Sequence, residues 1–323
     1  MCGSGNISYR LNLTSEKKLF KRKLKGYEKM KKEKLKAIQL YAGVDTLEIR
    51  TEKEIDPKGQ ADFVPKECRK NNKSGAYFYK LNPDKYSGTQ IYNRTAFVNA
   101  VNEMFDYLQI SNATITRIDF RFDSFQNDFE ELEKLNKFLI MLVAYDNHFK
   151  NCYESINPLL LAPLCIRSQN QYLEIENYNK SIEEPTGNVM NRLELRSKKL
   201  YSKANADTKD LHEFETWLKK LKKAISKTNI ALLEDKLNES LIRRFAEERK
   251  HNTFTNNELF CKYQNSIFSK EQMMNLCTQL GYKNPTSQIQ AYKQRKGIEF
   301  ISHKNLQDYL QILESSFAKF AET

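Results

Sequence analysis

The segment RIDFRFD, residues 117–123, sets two arginines and two aspartates at every second position. Side chains of an extended strand alternate between faces, so Arg117, Asp119, Arg121 and Asp123 share one face while Ile118, Phe120 and Phe122 share the other. Two further segments repeat the pattern. In QYLEIENYNK, Tyr172, Glu174, Glu176 and Tyr178 oppose Leu173 and Ile175; in NRLELRS, Arg192, Glu194 and Arg196 oppose Leu193 and Leu195. Carboxylate oxygens from Asp119, Asp123, Glu176 and Glu194 suit a hard cation such as Mg2+ or Mn2+. Arg117, Arg121, Arg192 and Arg196 would keep those acids ionised and hold phosphate through paired hydrogen bonds. Tyr178 supplies an oxygen nucleophile able to attack phosphorus and become joined to a cut strand. The same spacing also builds cross-strand ion pairs, and Tyr178 is one of 17 tyrosines. The residues alone therefore leave a phosphodiester-cleaving site and a structural ion-pair lattice both open.

The surrounding sequence must hold these strands. YAGVDTLEIRTE starts an alternating apolar pattern near Tyr41 and reads as an opening strand. Residues 52–90 are polar and punctuated by Pro57, Gly59, Pro65, Pro83 and Gly88, which predicts short strands among loops. Thr95 is expected to cap a helix carrying Phe97, Val98, Val101, Phe105 and Leu108 on one stripe. Asn127 is expected to cap a second, with Phe129, Leu132, Leu135, Leu139 and Leu142 on its buried side and an end near Asn147. From Asp207 the periodicity turns helical, first through Leu211, Phe214, Leu218 and Leu221, then through Ile230, Leu233, Leu237, Leu241 and Phe245. Within that tail, Ser269 and Gln272 form a capping-box pattern, and Gly281 stands where a helix would stop. A turn through Pro285 then admits a helix with Gln288, Gln290, Lys293, Gln294 and Arg295 on its polar sides, followed by a strand at Ile298 to Ile301. That order resembles a helix-turn-helix with a wing, the alternative being a plain helical bundle.

The expected architecture is α+β. A central, mostly antiparallel sheet with flanking helices occupies residues 41–206, after a basic arm of residues 1–40 and before an α-helical, winged-helix-like recognition region over 207–323. The formal charge of +12 and pI of about 9.2 favour polyanionic partners. Eleven Lys/Arg residues lie between Lys17 and Lys36 against Glu28 and Glu33 alone, a basic arm that suits either DNA contact or a solvated helix. The longest apolar run, Phe138 to Tyr145, is too short to span a bilayer, and the N-terminal residues hold no apolar secretory core. A soluble, cytoplasmic protein is expected. Six cysteines and four histidines are scattered without a CxxC pair or a two-histidine motif, so a zinc site is excluded and a metal would rest on carboxylates. The absence of a glycine-rich phosphate loop and of a GxSxG elbow argues against nucleotide hydrolysis and acyl transfer.

TRIDFRFD at 116–123, YNKSIEE at 178–184 and NRLELRSK at 191–198, in that order, resemble the rolling-circle replication initiators of plasmids and the related relaxases of integrative elements, the Rep_trans type, whose plan filamentous-phage initiators share. The resemblance covers about residues 41–200, and YAGVDTLEIR looks like that domain's opening strand. It implies a sheet-centred nicking domain that cuts one strand at an origin, stays on the 5′ phosphate through tyrosine and frees a 3′ hydroxyl. Carried over residue by residue, it implies Tyr178 as nucleophile, followed by Lys180 and Glu183, and Asp119, Asp123 and Glu194 as metal ligands with Glu176 beside them. The acidic approach to Tyr178 departs from the family pattern and keeps Tyr172 and Tyr153 as alternatives. DNA-contacting residues would be Arg117, Arg121, Lys180, Arg192 and Arg196 on the sheet and Gln288, Lys293 and Arg295 in the tail. The partners so implied are origin DNA as duplex and single strand, with a host helicase and a second copy of the chain as further candidates. A non-enzymatic origin-binding protein and a conjugative relaxase are the rival functions; an RNA-binding protein would need exposed aromatic pairs on the sheet.

Overall fold

In the computed structural model the described residues are 38–55, 69–71, 74–125, 129–146, 151–156, 163–180, 191–203, 206–251, 253–296 and 300–322. Residues 1–37, which hold the basic arm, lie outside them, as do Asn127, Glu183 and residues 297–299. Leu40–Thr323 forms one compact unit.

The unit is built on an antiparallel sheet of eight strands: β1 (Tyr41–Thr51), β2 (Arg69–Lys70), β3 (Tyr77–Leu81), β4 (Ala113–Ser124), β5 (Asn151–Ile156), β6 (Pro163–Gln169), β7 (Leu173–Asn179) and β8 (Asn191–Lys203). They lie in the order β2-β3-β1-β4-β8-β7-β6-β5. Among the described residues three helices interrupt the strands, α1 (Pro83–Ser87) and α2 (Arg94–Tyr107) before β4 and α3 (Phe129–Asp146) after it. Six more follow β8: α4 (Ala206–Ala224), α5 (Lys227–His251), α6 (Asn256–Lys262), α7 (Lys270–Gln279), α8 (Pro285–Lys296) and α9 (His303–Glu322). The strand RIDFRFD is thus β4, central in the sheet, between β1 and β8. Asn93 rather than Thr95 caps α2, its side chain accepting from Ala96 N at 2.8 Å. The helix starts one residue before Thr95, whose own N–H is already in the first turn.

Alternation gives the sheet one apolar face, and helices cover it. Phe120 and Phe122 of β4 meet Phe214 of α4 at 5.5 and 5.7 Å between ring centroids, and Phe317 of α9 stacks on Phe214 at 3.5 Å and meets Phe120 at 5.8 Å. Trp217 of α4 is fully buried and donates its indole N–H to Ser197 Oγ of β8 at 3.1 Å. A buried amide chain ties the same layers together. Tyr309 of α9 donates to Asn136 Oδ1 of α3 at 2.6 Å, and Asn136 donates to Asn177 of β7 at 2.6 Å and to Asn191 of β8 at 3.1 Å.

The helical tail is therefore not a module appended at residue 207. Helices α4 and α9 belong to the layer over the sheet, while α5 to α8 leave it to build a second core from Leu241, Phe245, Phe260, Met273, Leu276, Ile289 and Tyr292. In that core α7 and α8 form the expected pair. Ser269 Oγ accepts from Gln272 N at 2.9 Å, Gly281 ends the first helix at φ 79°, and Pro285 opens the second. The Gln272 side chain accepts from Phe268 N at 2.7 Å, one residue before the cap, instead of closing the box on Ser269. A strand over Ile298 to Ile301 is not seen in its described part: Phe300 is buried in the second core, and Ile301 N donates to Phe268 O at 2.7 Å.

Replacing Phe317 by Ala should cost about 3–5 kcal/mol in denaturant unfolding, because its ring is shared by β4 and α4. For the same reason a chain ending at Lys262 should lose cooperative unfolding. A cooperative transition in that truncated chain would show that the sheet does not depend on α9.

Candidate functional site

The other face of the sheet carries the charges, and the register aligns them in transverse rows. Asp123 pairs with Tyr41 on one side and Arg192 on the other, and Arg192 pairs with Tyr178. In the next row Gly43, Arg121, Glu194 and Glu176 lie in register, and then Asp119, Arg196 and Glu174. The structure thus brings Tyr178, all four proposed acidic residues and all four arginines onto one face. Lys180, half-buried just past the end of β7, lies close enough to help keep Asp45 ionised. Glu183 and the side chain of Tyr153 lie outside the described residues.

This face is buried rather than solvated. Arg121 and Asp123 are 0% exposed and Glu194 1%. Buried charges are tolerated only when paired, and here each meets a partner. Arg117 holds Asp119 through two bonds of 2.6 Å, and Arg192 holds Asp123 through bonds of 2.6 and 3.0 Å while reaching Asp45 at 2.7 Å. Arg196 gathers Glu174, Glu176 (2.6 Å) and Glu194 (2.8 Å), and Lys198 pairs with Glu174. Arg121 pairs with Asp84 at the start of α1 and donates to the Ile91 carbonyl at 3.1 Å.

Several members of this lattice were not anticipated from the sequence. Asp45 occupies a β-bulge, since Val44 pairs with Phe120 and Thr46 with Asp119, and the extra residue turns its carboxylate to Arg192. The inward spacing of three between Val44 and Leu47, in a strand otherwise alternating by two, was the readable signal. Asp84 and Tyr92 come from the connection before β4, and Tyr92 donates to Asp123 at 2.9 Å. Gly43 lies opposite Arg121: a Cβ there would sit 2.6 Å from the Ile91 carbonyl oxygen and 3.1 Å from Arg121 Nε. Only glycine lets this segment close over the guanidinium.

Burial and pairing set the proton affinities. Burial works against the charge of Arg196, but Glu194, Glu176, Asp119 and Glu174 outweigh it and hold the guanidinium above its ordinary range. Burial also opposes ionisation of Asp45, yet Arg192 and Arg121 prevail and keep it below the usual carboxylate range. For Glu194 burial wins over Arg196 and raises the carboxyl to about 7. Tyr178, 9% exposed, donates to Glu194 Oε1 at 2.5 Å; burial first, and then the neighbouring Glu194, raise its phenol. Tyr172, the alternative, is 54% exposed in the turn before β7, where its backbone N–H donates to Asn170 Oδ1 at 2.8 Å.

The proposed metal ligands do not fit a cation in this arrangement. Among the described residues no group of three or more His, Cys, Asp or Glu side chains is disposed to hold one, and Asp119, Asp123, Glu176 and Glu194 each have arginine on their oxygens. The tail residues stand apart from this face. Gln288 of α8 donates to Asn257 Oδ1 at 2.5 Å, Lys293 lies over the Phe300 ring at 5.2 Å, and the side chain of Arg295 is outside the described residues. No helix among the described residues is long and apolar enough to cross a membrane.

Among solved structures, the chain is similar to the rolling circle replication initiator protein from Geobacillus stearothermophilus, at 16% identity over 50% of this chain and 75% of that one, with a TM-score of 0.28. No family model and no curated protein matches.

Glu194 and Glu234, the latter buried in α5 and likewise pushed to about 7, bind protons more tightly in the folded chain than at their ordinary value of 4.5. Between those two pH values the native state holds more protons than the unfolded one, so their contribution to stability is full below about 4.5 and is lost as pH rises through about 7. Glu194→Gln should therefore flatten the fall of melting temperature across that window without abolishing it, since Glu234 remains. An unchanged slope would show that Glu194 is not a protonated buried acid.

Proposed function

We propose that this protein nicks one strand of DNA at a replication origin, with Tyr178 as nucleophile and Glu194 as its base. The observation that carries the reading is the 2.5 Å hydrogen bond from Tyr178 to a glutamate whose carboxyl is raised to about 7. A general base works best when its proton affinity lies near the working pH, and a nucleophile needs such a base within hydrogen-bond reach. The ordered motifs around Asp119, Tyr178 and Glu194 support the same class of chemistry, and the formal charge of +12 suits a polyanionic substrate.

In the proposed step Glu194 takes the Tyr178 proton as Oη attacks phosphorus. The new Tyr–O–P bond forms as the P–O3′ bond breaks, and the proton returned from Glu194 completes the 3′ hydroxyl. The 5′ end stays on tyrosine and the free 3′ end primes synthesis. Because Tyr178 is buried, a strand reaches it only when the face opens, and Arg192, next to it in register, is then the nearest guanidinium for the phosphate. A divalent cation, Mg2+ or Mn2+, would have to displace arginines from the carboxylates, whereas proton transfer within the Tyr178–Glu194 pair needs none. The α7–α8 pair is proposed to read origin duplex through Gln288, Lys293 and Arg295. A second copy of the chain and a host helicase are proposed partners.

The closed ion-pair lattice favours a second reading, a non-enzymatic origin-binding protein in which these charges only shape the sheet. One experiment separates the two. Purified protein is incubated with single-stranded oligonucleotides from its own element, with Mn2+ and with chelator, and run on a denaturing gel. The nicking reading predicts a covalent adduct that Tyr178→Phe abolishes, Tyr172→Phe leaves intact and Glu194→Gln slows by roughly 100- to 10,000-fold. Adduct formation should rise with pH through about 7 as Glu194 ionises. No adduct with any oligonucleotide, alongside salt-sensitive duplex binding, would establish the second reading.

A further inference from the structure

Large apolar side chains are seldom exposed together on a solvated surface without a partner. Tyr41, 36% exposed, and Phe125, 39% exposed, are two of the few such residues described here, and they are neighbours. Their ring centroids are 5.4 Å apart in an edge-on arrangement, and both meet Tyr92, at 5.5 Å from Tyr41 and 6.5 Å from Phe125. All three rings belong to the charged side of the sheet. Tyr41 pairs in register with Asp123, and Phe125 follows Asp123 by two residues at the end of β4.

The trio is braced from the lattice side. Tyr92 donates to Asp123 at 2.9 Å, and the Arg121 guanidinium lies 5.0 Å from its ring centroid. Tyr92 is thus fixed while Tyr41 and Phe125 present ring surface to solvent. The row through Tyr41, Asp123, Arg192 and Tyr178 crosses three strand spacings, which sets the trio roughly 14 Å from the tyrosine on β7.

We propose that Tyr41, Tyr92 and Phe125 form a stacking platform for unpaired bases of a single DNA strand, holding the nucleotides that flank the phosphate presented to Tyr178. The proposal rests on the nicking reading for its choice of strand. Two features together make it a single-strand site, since braced aromatic rings with open surface are the sequence-tolerant element of such sites and a chain of formal charge +12 attracts the backbone that carries the bases, and the choice of DNA over RNA comes from the nicking reading. Duplex DNA keeps its base faces stacked inside and offers such a platform nothing.

The test is equilibrium binding of the whole chain, in chelator, to a single-stranded deoxyoligonucleotide and to its duplex. Tyr41→Ala and Phe125→Ala should each weaken single-strand binding by about tenfold and leave duplex binding unchanged, and Tyr41→Phe should retain wild-type affinity. A Phe125→Trp variant should change its fluorescence on adding the single strand; the buried Trp217 gives a constant background. Alanine variants that bind single strands like the wild type, with a silent Trp reporter, would overturn the platform while leaving the Tyr178 adduct untouched. A shift of Phe125→Ala from dimer to monomer in sedimentation would overturn it too, by assigning the patch to a second copy of the chain. If the wild type bound no single strand at all, platform and nicking would fall together.

Discussion

Two guanidinium groups, those of Arg121 and Arg192, are buried on the charged face of the sheet, and much of the local architecture follows from having to satisfy them. Removing one partner from a buried charge pair typically costs about 3–5 kcal/mol, because the other is left uncompensated. Asp123 stands between the two arginines, within 3.4 Å of Arg121 and 2.6 Å of Arg192. The bulge in β1 exists where Asp45 is needed by both, and glycine at 43 leaves room for the Arg121 side chain and the Ile91 carbonyl that caps it. Even the short α1 is anchored from this side, since Asp84 in its first turn pairs with Arg121.

The period-two pattern made the three central strands and their shared face legible, since burying one face on helices admits one register. What the pattern could not convey was that the charged side would also be closed. Alternating charge is the ordinary mark of a solvated face, and whether such a face is covered depends on residues elsewhere in the chain, here Asp84, Ile91 and Tyr92. The aromatic trio escaped notice for the same reason. Tyr41, Tyr92 and Phe125 come from a strand start, a loop and a strand end, and no spacing links them. The tail shows a different limit. Phe214 and Phe245 belong to equally good helical stripes, yet one packs on β4 and the other on α6, because an amphipathic stripe specifies that a helix is buried and not against what.

The return of α9 to the sheet has a mechanical consequence. Asn136 receives the Tyr309 hydroxyl and donates to Asn177 and Asn191, so α9 is tied through one amide to both strands that bear the Tyr178–Glu194 hydrogen bond. Asn177 precedes Tyr178 on β7, and Asn191 precedes Arg192 on β8. Between α4 and α9 the chain makes its excursion through the second core, whose stacked contact with the first, Phe138 on Phe268 at 4.6 Å, lies at the foot of α7. The start of α7 and the strands β7 and β8 are thus joined through α3 by packed rings and a satisfied amide.

The geometry of the lattice that closes the charged face is one that other oxyanions also fit. Arg117 and Arg192 each hold a carboxylate in the planar, two-point geometry that phosphate shares. On the proposed reading, a phosphodiester reaching Arg192 would exchange one oxyanion for another at the guanidinium and not leave it bare. The cost of opening would then fall on the displaced aspartate, whose charge water would solvate. Burial raises the proton affinity of Asp119 as well as that of Glu194, and Glu194 also accepts a hydrogen bond from Tyr178. Ion pairing and proton acceptance are thus two consequences of one burial.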